Sequence, residues 1–122
     1  MEVLITVTII AILASVALPQ YRKTLEVTYR QQAQDLLTTL YYGERAYRLG
    51  NNKFVVPATW QDIFMDDPQV GVPPPITYAV TAAAASTFTA EATRAAGSGV
   101  CASKVLSIDQ SRKITGGWLT CP

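Results

Sequence analysis

The first 21 residues, MEVLITVTIIAILASVALPQY, carry no charged side chain between Val3 and Tyr21. Only Thr6, Thr8, Ser15 and Gln20 interrupt the apolar residues, and a run of about 18 to 20 is what a helix needs to cross hydrocarbon. Two residues suit a passive membrane anchor poorly. Glu2 stands at the apolar end with no basic side chain before it, and Pro19 falls where the helix ought to continue.

The whole chain has 122 residues, enough for one domain with a modest core. It is 49% hydrophobic, and much of that excess lies in the opening stretch, so the remainder reads as an ordinary small globular domain. A net charge of +1 gives no bulk attraction to nucleic acid or anionic membrane. Histidine is absent, which removes the commonest general base and the commonest metal ligand together. The two cysteines, Cys101 and Cys121, are too far apart for a Cys-x-x-Cys redox or zinc motif. They read as a single structural disulfide, which belongs outside the cytoplasm.

The opening run lacks the positive n-region of a signal peptide. Arg22 and Lys23 follow it directly, and the positive-inside rule applied to this span alone would leave the next domain in the cytoplasm. That conflicts with a disulfide.

Beyond Tyr21 the pattern becomes amphipathic with no turn signal. Leu25, Tyr29, Ala33, Leu36, Leu37, Leu40, Tyr41 and Tyr47 recur at helical spacing, with Arg30, Gln31, Gln34, Asp35, Glu44, Arg45 and Arg48 between them. Gly50, Asn51 and Asn52 supply the stop. A helix from Met1 to Leu49 would be about 70 Å long at 1.5 Å per residue, so half of it must project from so small a domain. Pro19 is expected to kink or open it, at a cost of roughly 3 kcal/mol. The carbonyls freed near Ser15 and Val16 then need partners, from Ser15 or from a neighbouring helix.

Residues 51–75 form a connection anchored by Trp60, Ile63, Phe64 and Met65, with a short helical turn begun by Thr59. Asp66, Asp67 and Pro68 close it, and Pro73, Pro74 and Pro75 make a stiff extended entry. Period-two alternation then predicts strands: Ile76, Tyr78 and Val80 on one face, then Phe88, Ala90 and Ala92. After the turn at Gly97, Ser98 and Gly99, Lys104 to Asp109 alternates with Leu106 and Ile108 on one face. Gln110 to Arg112 turn into Lys113 to Thr115, and Gly116 and Gly117 break the pattern before Trp118. The expectation is a meander of about four strands whose apolar face meets the stripe on the helix.

The run from Met1-Glu2-Val3-Leu4-Ile5 to Ala17-Leu18-Pro19-Gln20-Tyr21 resembles the mature N-terminus of type IV pilins and of their relatives, the type II secretion pseudopilins. Glutamate, proline and tyrosine fall at that family's mutual spacing. The long helix, variable connection, strand meander and cysteine-closed C-terminal segment extend the resemblance over the chain, more loosely after about residue 50. The resemblance implies a basic leader held in the cytoplasm during insertion, which outweighs Arg22 and Lys23 and leaves the domain outside. Alignment on Glu2 and Pro19 further implies about three residues ahead of Met1, starting with a methylated phenylalanine. Ala11 stands where many major pilins have a helix-weakening glycine.

A carboxylate in hydrocarbon costs about 2.5 to 3.5 kcal/mol on insertion scales, so Glu2 needs a partner. The resemblance implies the N-terminal amine of a neighbouring subunit; the alternative is a place among headgroups, favoured by the helix dipole. Glu2, Val3, Leu4, Ile5, Val7, Ile9, Ile10, Ile12, Leu13, Val16 and Leu18 are then the assembly surface, and Pro19 the kink. A disulfide between Cys101 and Cys121 would stabilise by roughly 3 kcal/mol on the chain-entropy model. Asp66 and Asp67 do not match the calcium position of some pseudopilins and read as a solvated corner. The tyrosines at 21, 29, 41, 42 and 47 read as packing groups rather than an electron path, and Arg94, Lys104, Arg112 and Lys113 as scattered solvated charge rather than a DNA-binding patch.

The sequence thus predicts an α+β fold in four stretches: residues 1–21, the apolar helix; 22–50, its amphipathic half; 51–75, the connection; and 76–122, an antiparallel sheet with a disulfide-closed end. No catalytic constellation, cofactor or metal set is expected. The resemblance implies a structural subunit, a major pilin, held in a bacterial inner membrane before assembly and then polymerised with identical subunits into a surface filament. Its partners would include prepilin peptidase and the pilus assembly machinery, and its tasks adhesion, twitching motility or DNA uptake. Alternatives are a type II secretion pseudopilin and, in another class, an anchored extracytoplasmic binding domain that never polymerises.

Overall fold

The computed structural model describes residues 1–70, 76–96 and 99–121. One helix, α1, runs from Glu2 to Asn51 and continues through Pro19. Its 50 residues span about 75 Å at 1.5 Å per residue. Gly50 stays inside the helix; the chain turns at Asn52, which adopts the left-handed conformation and donates its N–H to the Arg48 carbonyl. Asparagine tolerates that conformation better than most residues because its short side chain is polar and unbranched.

Four strands come after it: β1 (Ile76–Ala83), β2 (Phe88–Arg94), β3 (Val105–Asp109) and β4 (Ile114–Thr115). They pair antiparallel in chain order, a meander with β1 and β4 at its edges. Ile76 faces Arg94 and Tyr78 faces Ala92, while Ala92 and Ala90 on their other side face Leu106 and Ile108. A bulge between Val80 and Ala82 shifts the register near the first hairpin. The period-two pattern is realised as expected, with Ile76, Tyr78, Val80, Phe88, Ala90, Ala92, Leu106 and Ile108 all buried.

The helix lies over β2 and β3. Ala90 and Ala92 offer no bulk there, so Ala33, Leu37, Leu40 and Tyr41 can settle onto the sheet and become buried. Fully burying a Leu or Phe side chain contributes about 1.5 to 3 kcal/mol, which makes this seam the main source of stability. Leu25, Tyr29, Leu36 and Tyr47, expected on the same stripe, are half-buried at its margins. At Gly43 the helix comes so close to the Ile63 carbonyl that a Cβ would overlap it.

The connection carries a 3-10 turn at Trp60–Ile63, capped by Thr59 and Asp62 in a reciprocal capping box. Ile63 and Met65 are buried anchors, as the sequence predicts. Phe64 is not: it is 74% exposed and takes a left-handed backbone conformation that ends the turn. Its place in the core is taken by Phe54, whose ring lies 4.7 Å from that of Phe88. The expected proline entry at 73–75 and the turn at Gly97 and Ser98 lie outside the described residues.

Candidate functional site

The sequence singles out the N-terminal half of α1, and in the structure most of that half projects from the rest of the described chain. Residues 2–24 are exposed around their whole circumference, and the first buried residue is Glu26. Val3, Leu4, Ile5, Val7, Ile9, Ile10, Ile12, Leu13, Val16 and Leu18 are between 52% and 73% exposed. The rod they form extends about 34 Å at 1.5 Å per residue, against a hydrocarbon thickness of about 30 Å. By length and composition this helix can cross a membrane.

The polar interruptions cost little in such surroundings, because their hydroxyls turn back onto the helix. Thr6 donates to the Glu2 carbonyl at 2.9 Å, Thr8 to that of Leu4 at 2.7 Å and Ser15 to that of Ile12 at 2.7 Å. Ser15 therefore uses its hydroxyl one turn earlier and does not serve the carbonyls near Pro19, a correction to the sequence-based expectation. Proline has no N–H to offer the Ser15 carbonyl, four residues before it. Glu2 lies in the first helical turn, where the helix dipole favours a negative charge. Among the described residues no cationic side chain pairs with it.

Where the rod enters the domain, three charged side chains tie it to the rest. Glu26 accepts two hydrogen bonds from Arg94 at the end of β2, and the Arg94 guanidinium stacks 4.9 Å from the centre of the Tyr29 ring. Arg94 is thus buried and paired rather than solvated, contrary to the sequence-based reading. One turn on from Glu26, Arg30 points Nη1 at the carbonyls of Trp118, Leu119 and Cys121, at 3.5, 3.3 and 2.6 Å. Cys121 itself is joined to Cys101 by the disulfide.

Glu44, expected on the solvated side of the helix, is fully buried. Its Oε2 accepts the Val55 N–H at 3.1 Å, while Oε1 has no hydrogen-bond partner among the described residues. Burial raises its pKa above the ordinary carboxylate range, opposed only in part by the Val55 hydrogen bond. Tyr78, buried on the sheet, is pushed up to about 12 by the same desolvation. Asp109 goes the other way: hydrogen bonds from Ser111, first from its hydroxyl, hold its carboxyl low at the β3–β4 turn.

The remaining residues singled out by sequence are dispersed. Asp67 caps a local turn by accepting the Gln69 N–H, and among the described residues no three His, Cys, Asp or Glu side chains form a metal-binding group. Lys104 and Lys113 are exposed, and Arg112 donates to the Tyr42 hydroxyl. Tyr41 packs against Tyr42 and Phe88, whereas Tyr21 stands exposed at the end of the apolar rod. Glu26, Arg30 and Gly43 carry no sequence signal that sets them apart from other helical residues. Comparison of the chain with family models and with curated proteins finds no match.

Proposed function

We propose that the chain is a structural subunit of a type IV pilus, held in the inner membrane by the Val3–Leu18 segment and polymerised through that same segment into an extracellular filament. The observation that carries the reading is one unbroken helix that is domain core at one end and wholly uncovered apolar rod at the other. Water does not tolerate an apolar surface of that extent, and lipid followed by neighbouring copies of the rod would cover it at successive stages. The spacing of Glu2, Pro19 and Tyr21, which resembles that of the pilin N-terminus, supports this reading. In this reading Glu2 meets the amine of an adjacent subunit in the filament core, Pro19 bends the rod there, and the disulfide belongs to an oxidising compartment.

Glu2→Ala should leave the domain folded and membrane-inserted but abolish surface filaments, as scored by electron microscopy of cells and of sheared material. Normal piliation in that variant would overturn the assembly role of Glu2. Wild-type cells with membrane-embedded protein and no helical filaments by cryo-EM would favour the non-polymerising anchored domain. Short filaments that appear only alongside a secretion apparatus would favour the pseudopilin.

A further inference from the structure

Arg30 contacts the chain 88 to 91 residues away, and all three of its acceptors lie on the stretch from Trp118 to Cys121, which carries one half of the disulfide. Nη1 carries two hydrogens, so the bond to the Cys121 carbonyl at 2.6 Å is its main interaction and the other two carbonyls share the rest. A cation in a half-buried cup of carbonyls makes a stronger hydrogen bond than a neutral donor would. The segment has further attachments that do not involve sulfur. The Trp118 side chain is fully buried and its backbone N–H meets the Val105 carbonyl at 3.2 Å, while within the segment the Cys121 N–H closes a turn on the Trp118 carbonyl at 3.2 Å. On the other side, Cys101 sits in a turn closed by Lys104 N–H on its carbonyl at 3.1 Å and by Ser103 N–H on that of Arg94 at 3.0 Å.

We propose that Arg30 is the positioning residue for disulfide closure: it seats the C-terminal segment on the helix before any S–S bond exists, holding the Cys121 sulfur beside that of Cys101. The disulfide then locks a register already formed by hydrogen bonds and by Trp118. The proposal concerns the globular domain alone and does not depend on the filament reading.

With oxidised glutathione as the oxidant, one cysteine thiolate attacks the glutathione disulfide and expels one glutathione thiolate, leaving a mixed disulfide. The second cysteine thiolate then attacks the protein sulfur of that bond, forms the Cys101–Cys121 disulfide and expels the second glutathione thiolate. Two cysteine thiols are oxidised, one glutathione disulfide is reduced to two thiols, and the cysteine protons pass through solvent to the glutathione thiolates. Arg30 acts on the second, intramolecular step, whose rate depends on the effective concentration of one sulfur at the other.

The test uses the full chain in detergent micelles, reduced with dithiothreitol, desalted, exposed to oxidised glutathione, quenched by alkylation at timed intervals and read by intact mass. Reduced wild type is expected to keep its near-UV circular dichroism and to close with little mixed disulfide visible. Arg30→Ala should close roughly tenfold more slowly in the second step, with glutathionylated chain accumulating, as loss of about one charge-assisted hydrogen bond implies. Arg30→Lys, whose ammonium reaches fewer carbonyls at once, should fall between, and it carries the test if Arg30→Ala does not fold. Arg112→Ala, which removes a cation elsewhere on the surface, should match wild type. Closure of a folded Arg30 variant at the wild-type rate would overturn the proposal, and so would loss of the Trp118 environment when wild type is reduced.

Discussion

Glu26 on the helix and Arg94 at the end of β2, 68 residues apart, form a bidentate buried pair with nitrogen–oxygen distances of 3.2 and 2.9 Å. Each side chain is almost wholly withdrawn from water. Removing one partner strands the other charge, so Glu26→Ala should destabilise the domain by about 3 to 5 kcal/mol in urea unfolding. The double variant Glu26→Leu/Arg94→Met should be more stable than either single change, because well-packed apolar groups can replace a buried pair at little cost. Strictly additive losses would show that the two side chains are not coupled.

Gly43 tests close packing against helix propensity. Alanine would favour the helix by about 1 kcal/mol, but its Cβ would meet the Ile63 backbone carbonyl. Overpacking against backbone costs about 1 to 3 kcal/mol, so Gly43→Ala should be net destabilising. A rise in thermal midpoint would mean that the connection at Ile63 yields freely.

Glu44 sets a pH dependence whose sign is given by its raised pKa. The native state holds the proton more tightly than the unfolded chain, so this group's contribution is most favourable below the ordinary carboxylate pKa. It is lost as pH rises from about 4.5, the unfolded value, through the raised folded value. The measured stability of wild type should therefore fall across that interval relative to Glu44→Gln, which cannot titrate. Parallel curves for the two proteins would rule out Glu44 as the source.

Deleting residues 1–21 should yield a water-soluble domain whose unfolding free energy lies within about 0.5 kcal/mol of the full chain in detergent, the range expected for changes that touch no buried group. No residue before Glu26 is buried, and Leu25 is the first even partly covered. Loss of cooperative unfolding in the shortened chain would show that the rod supports the domain.

The elements that sequence reveals well here are those fixed by local pattern. The helical stripe through Ala33, Leu37 and Leu40 and the alternation at Ile76, Tyr78 and Val80 both arise from one apolar face meeting another, which periodicity encodes directly. The capping box at Thr59 and Asp62 is similarly local. Glu26, Glu44 and Arg94 escape such reading because a buried charge differs from a solvated one only through a partner far away in sequence. Phe54 and Phe64 show the same limit for apolar residues: both are phenylalanines on one connection, and the backbone turn at Phe64 decides which enters the core. Of the candidate site, the composition and extent of the rod were legible, whereas the attachments at its base were not.

The continuity of α1 through Pro19 makes the rod and the domain one mechanical member. A pull along the apolar half would be carried by the helix backbone, and the first tertiary attachment it would meet is Glu26, whose partner Arg94 ends a central strand of the sheet. Four residues further on, Arg30 passes part of the same load to the C-terminal segment, and the disulfide returns it to the turn at Cys101. The rod is thus joined to the sheet at two levels: through Arg94 at the end of β2, and through a C-terminal segment that is itself bonded to β3 at Val105 and tied by the disulfide to the turn before β3.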